Sequence, residues 1–76
     1  GEEPADAAAA RMLRDRIRTL LAQKDERTRA IVLQRMQGVP FETIARALGI
    51  SAGSARVMDY RTRQWLKETL RKEGLL

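Results

Sequence analysis

At 76 residues the chain is long enough for one small domain and no more. It has no cysteine and no histidine, which excludes disulfide staples, thiolate zinc sites and the commonest general base. A catalytic site would rest on carboxylates and lysines with little volume to enclose a substrate, so no enzyme activity, metal or cofactor is expected. Fifteen Lys and Arg stand against ten Asp and Glu, a net +5.

The charge is uneven. Residues 1–10 hold Glu2, Glu3 and Asp6 and no basic residue, a sum of −3, which leaves 15 basic and 7 acidic residues, or +8, for the rest. A body this basic fits either a soluble arginine-rich surface or a polyanion partner. The excess of arginine over lysine favours nucleic acid, because the planar guanidinium suits phosphates and guanine edges. No apolar run approaches the roughly 18 residues of a membrane span. The N-terminus is acidic and then alanine-rich, without the apolar segment of a signal peptide, so a cytoplasmic location is expected. "GEEPADAAAA" reads as a flexible linker or expression remnant, with the folded domain at residues 11–76.

The pattern is helical throughout. A first helix is predicted from Asp6 or Ala7 to about Gln23, with Leu13, Ile17, Leu20 and Leu21 as its apolar stripe. Arg11, Arg14, Arg16 and Arg18 occupy its other faces and read as solvated. Asp25 is the predicted N-cap of a second helix over residues 26–37. Its apolar residues Ala30, Ile31, Val32, Leu33 and Met36 cover more than one face, as in a helix wedged between neighbours. Gly38 ends it.

A short third helix is predicted over residues 40–48. Pro40 suits a helix start, and Phe41, Ile44, Ala45 and Leu48 fall at i, i+3, i+4 and i+7. Gly49 ends this helix, Ser51 caps the next, and the fourth runs over residues 52–72, with Gly74 as its stop and frayed Leu75 and Leu76 beyond. Two helices joined by a three-residue turn, Gly49-Ile50-Ser51, fit a helix-turn-helix, with Ile50 as the apolar plug. A plain helical hairpin uses loops as short. Ala45, small enough for a close crossing of the two helices, favours the DNA-binding version.

A helix turns about 100° per residue. With Arg56 at zero, Arg63, Lys67, Tyr60, Gln64 and Val57 share one arc, and Arg61 flanks it. Ala55, Met58, Thr62, Trp65 and Leu66 fall opposite, as a core face. The exposed set combines cations, an amide and an aromatic, and no acidic residue is assigned to it. Arginine can bridge guanine O6 and N7, glutamine can bridge adenine, and Val57 or Tyr60 can meet a thymine methyl. Lys67 is placed for a phosphate. A solvated face usually mixes both signs of charge. Asp59 lands at the edge of the core face, where a carboxylate needs a partner. Arg63 at i+4 is the natural one, with Arg35 or Arg46 as the alternative.

The stretch "RTRAIVLQRMQGVPFETIARALGISAGSARV" resembles the C-terminal promoter-binding domain, region 4, of bacterial sigma factors, and most closely the extracytoplasmic-function group. Arg27, Arg29, Gly38, Phe41, Glu42, Ile44, Ala45, Leu48, Gly49, Ile50, Ser51, Gly53 and Ser54 stand at matching places. The resemblance covers about residues 13–72. LuxR-type regulators share much of the helix-turn-helix pattern, so a LuxR-type DNA-binding domain is one alternative. A sigma-like helical module that binds a protein is another. The chain departs from the family at Lys24-Asp25 (usually Leu-Pro), at Pro40 (usually a capping serine), at Val57 (usually small and polar) and at Asp59 (usually leucine).

The resemblance implies an all-α, four-helix domain without a sheet, ending in a helix-turn-helix. It implies that the fourth helix enters the major groove of the −35 element of double-stranded promoter DNA. Arg56, Val57, Tyr60 and Arg61 match groove-facing positions, and Thr43, Arg46, Ser51 and Ser54 match positions near the DNA backbone. The start of the fourth helix would also offer backbone N–H groups to a phosphate. Family behaviour further implies docking on the β-flap of the RNA polymerase core, sequestration by an anti-sigma factor, and a monomer as a free domain. Leu13 and Ile17 serve those contacts or the core.

Overall fold

The computed structural model describes residues 5–76. Four helices follow in chain order, α1 (Ala5–Leu21), α2 (Glu26–Met36), α3 (Phe41–Leu48) and α4 (Ala52–Lys72), with no strand among the described residues. The architecture is all-α. Of the segment expected as a linker, Glu2 and Glu3 lie outside the described residues and positions 5–10 are the first turns of α1. At its other end α1 stops at Leu21, short of the expected Gln23. There the Gln23 and Lys24 N–H groups bond back to Leu20 and Leu21 in a tightened last turn.

Local chemistry explains each junction. Asp25 caps α2, accepting from the backbone N–H and hydroxyl of Thr28. Those bonds, the hydroxyl's first, hold the Asp25 carboxyl below its ordinary range. Pro40 occupies the cap position before α3 rather than its first turn, with extended backbone and no side-chain bond. Gly49 adopts φ +70°, the left-handed conformation in which a side chain is strained. That conformation turns the Ile50 N–H back onto the Ala45 carbonyl at 3.0 Å, satisfying an end-of-helix acceptor. Two residues later Ser51 Oγ accepts from the Ser54 N–H at 3.0 Å and opens α4.

The core has two parts, and α4 runs through both. Ile31, Ile44, Ala45 and Ala55 are buried together, with Val39, Phe41, Leu48, Ile50, Ala52 and Met58 packed around them. This part joins α2, α3 and the first half of α4. Leu20, Leu21, Val32, Leu66 and Leu70 form the other part, flanked by Leu13, Ile17 and Trp65. It joins α1, α2 and the second half of α4. Adjacent residues of α2, Ile31 and Val32, therefore face different neighbours, as expected of a wedged helix. Leu33 and Met36, expected to share that burial, are exposed instead. Ile50 packs against the cluster that includes Ala45 of α3 and Ala55 of α4.

Arg16, expected to be solvated, ties α1 to the C-terminal cap of α4. Its Nε and Nη2 donate to the two carboxylate oxygens of Glu73 at 2.7 and 2.6 Å. These bonds hold the Glu73 carboxyl below the usual carboxylate range and push the arginine up. A carboxylate depressed in the folded state adds stability above its unfolded pKa, and that stability is lost as pH falls through the folded value. Glu73→Gln should therefore be less stable than wild type at pH 6. The gap should close as acid denaturation curves are taken below about pH 4.

Candidate nucleic-acid interface

The candidate interface comprises the turn between α3 and α4 and the outer side of α4. On α3, Thr43 and Arg46 are exposed. At the start of α4, Ser51 and Ser54 are exposed with their hydroxyl oxygens 2.9 Å apart. One O–H···O bond uses one of the two protons, so the pair keeps a donor for a phosphate oxygen. An open concavity lined by Ser51, Gly53, Ser54, Val57, Met58 and Arg61 runs from this helix start along α4. It brings Ser51 and Ser54, expected at the backbone, beside Val57 and Arg61, expected at the bases.

Burial fixes the rotation of α4. Ala55, Asp59, Thr62, Leu66 and Leu70 are its buried residues. By the 100° rule they span about 240° to 320°, so the solvent pole lies near 100°. The sequence placed the core nearer Trp65 and Met58, which are only half-buried. The shift follows from Leu70, which α1 and α2 bury and which draws the core toward its own side. Val57, Tyr60 and Arg61 stand exposed around the pole, with Arg56 and Lys67 exposed at one flank and Gln64 half-buried among them.

Two expected features of that surface change. Glu68, placed off the arc by the sequence reading, falls near 120° by the same rotation and is exposed. The acid-free face therefore ends at Lys67. Arg63 lies at the core edge: its Nε donates to both Asp59 oxygens at 3.0 Å. Asp59 is 7% exposed. The pair answers the choice of partners, because Arg35 instead donates to the Val39 carbonyl at 2.9 Å and lies over the Phe41 ring. Arg63 thus neutralises a buried carboxylate and is drawn toward the core edge, off the exposed arc.

Behind α4 lies an apolar groove of about 240 Å³, lined by Leu13, Ile17, Val32, Met36, Leu66, Leu70 and Leu76 with Arg63 and Lys67 at its charged side. A smaller neighbouring hollow shares Ile17 and Met36 and adds Arg14, Arg18 and Leu33. All four charged residues lining the two hollows are cationic. Leu13 and Ile17, left between core and contact surface by the sequence, are half-buried and serve as both core edge and groove wall. Among the side-chain contacts that escaped the sequence reading are Arg16 on Glu73, Lys24 Nζ 4.0 Å above Trp65, and Arg56 beside Phe41. Each joins residues from different elements, so no local spacing announces it.

Among the described residues, no helix is long and apolar enough to cross a membrane. Comparison with protein-family profiles, with characterised proteins and with solved structures gives no match for this chain.

Proposed function

We propose that this domain is a helix-turn-helix module that reads double-stranded promoter DNA, acting as region 4 of a sigma factor does at the −35 element to direct RNA polymerase to initiate transcription. One observation carries the reading. A glycine turn with φ +70° and a serine cap set α4 directly after α3, and the outward side of α4 from Arg56 to Lys67 is exposed, basic and free of acid. In this reading Arg56, Val57, Tyr60, Arg61 and Gln64 meet base edges. Thr43, Arg46, Ser51, Ser54 and Lys67 meet phosphates. Arg63 is left out, since Asp59 holds it. The cation-rimmed apolar groove supports the partner side of the same reading, namely docking on the polymerase β-flap or capture by an anti-sigma factor.

Arg56→Ala should cost about 1–3 kcal/mol on the preferred duplex and relax preference at one base pair. Lys67→Ala should weaken all sequences alike and flatten the salt dependence by about one unit of slope. Fluorescence anisotropy with specific and scrambled duplexes separates the two. Wild-type affinity in both variants would remove α4 from the groove.

A further inference from the structure

We propose that Phe41 is a positioning residue for DNA reading, holding the Arg56 guanidinium at the start of α4 so that this arginine is presented to one base pair. The inference rests on the reading above. Phe41 is the first residue of α3 and is half-buried, packed on the cluster of Ile31, Ile44, Ala45 and Ala55. Its ring is therefore fixed by the core. The guanidinium carbon of Arg56 lies 5.1 Å from the ring centroid, and that of Arg35 lies 4.3 Å from it. Both distances are within cation–π range. Arg35 is also tied to the Val39 carbonyl. Arg56 has no hydrogen bond or ion pair among the described residues.

The difference between the two arginines matters. A ring contact restrains a long side chain without engaging its N–H groups in a hydrogen bond. Arg56 is thus oriented while its donors stay available for a bidentate contact with a base edge. Arg61 and Lys67, the other exposed cations of this face, have no ring contact among the described residues, so their chains must be ordered on binding. Among these three exposed cations the order available before binding is therefore concentrated in Arg56. Phe41 supplies it from the other helix of the pair, across the turn.

The experiment uses the intact domain and duplexes that differ at the base pair where Arg56→Ala relaxes preference. Phe41→Leu keeps an apolar side chain on the core and removes the ring. It should reduce discrimination at that base pair by about two- to five-fold, with affinity for scrambled DNA and the salt slope unchanged. Phe41→Tyr should restore discrimination, and Phe41→Leu should add nothing in an Arg56→Ala background. An NMR reading needs no variant and no DNA: the Arg56 side-chain protons of the free wild type should be shifted upfield relative to those of Arg61.

Unshifted Arg56 protons overturn the proposal even if Phe41→Leu does not fold. So does a Phe41→Leu variant that weakens every duplex alike or keeps full discrimination. In those cases, if wild type selects a duplex and Arg56→Ala relaxes the choice, DNA reading stands and only the role of Phe41 falls. A wild type that binds no duplex overturns both.

Discussion

Ile44→Ala should destabilise the domain by about 3 kcal/mol, within the range for emptying a buried aliphatic site. Ile44 is 0% exposed and sits with Ile31, Ala45 and Ala55 where α2, α3 and α4 meet. Two of those neighbours are alanines, too short to close over the space left behind. Domains of this size are stable by roughly 4–11 kcal/mol, so the change removes a large part of the total. It also removes the packing that fixes α3 against α4. Urea denaturation with an unchanged m-value measures the loss, and Val57→Ala, at an exposed position of α4, should stay within about 0.5 kcal/mol of wild type. Equal stability of the two variants would mean that α3 is not braced through Ile44.

Arg63→Ala should cost about 2 kcal/mol, and Asp59→Leu should be neutral or stabilising. The asymmetry is the signature of a buried carboxylate. Removing the arginine strands Asp59, whose side chain is 11% exposed, without its one counter-charge among the described residues. Removing the carboxylate in favour of an apolar residue ends the desolvation penalty. The cost is set below that of a fully buried pair because Arg63 is 41% exposed, and water screens part of the interaction. The same denaturation assay tests both variants. A stable Arg63→Ala together with an unstable Asp59→Leu would show that the aspartate is held by something other than this arginine. In DNA binding, Asp59→Leu releases Arg63 and should raise affinity for all duplexes, since a freed cation at that edge meets phosphate.

The parts of the fold that depend on neighbours in sequence were legible before the structure. Ser51, Asp25 and Gly49 work through bonds spanning five residues or fewer, and each stands where capping and left-handed backbone require it. The stripe of Phe41, Ile44, Ala45 and Leu48 was legible because a single apolar face on a short helix leaves one way to pack. Helix α2 was less so: five apolar residues mark a wedged helix without saying which side is covered, and Leu33 and Met36 turned out to lie on the open side. The clamp of Arg16 on Glu73 spans 57 residues, and no periodicity relates its ends.

The candidate interface divides in the same way. The type of face on α4 followed from a helical wheel, but its rotation was set by burial of Leu70 against α1 and α2. That rotation took Arg63 into the core edge, whereas Glu68 falls near 120° on the wheel itself and stands on the exposed side beyond Lys67. Asp59 was legible as an anomaly, and its i+4 partner followed from helix geometry. The role of Phe41 was not legible, because a ring at a core-stripe position reads as packing until the arginine beside it is seen.

Selection of duplexes from a random-sequence pool by the wild-type domain, followed by affinity measurement of the enriched duplex across a salt series, tests DNA reading most directly. The account predicts a single enriched motif and a linear fall of log affinity with log salt. With Arg46 and Lys67 at phosphates and Arg56 and Arg61 in the groove, roughly two to four phosphates are neutralised and the slope should be about −2 to −4. No enriched motif, or an affinity that does not change with salt, would contradict it.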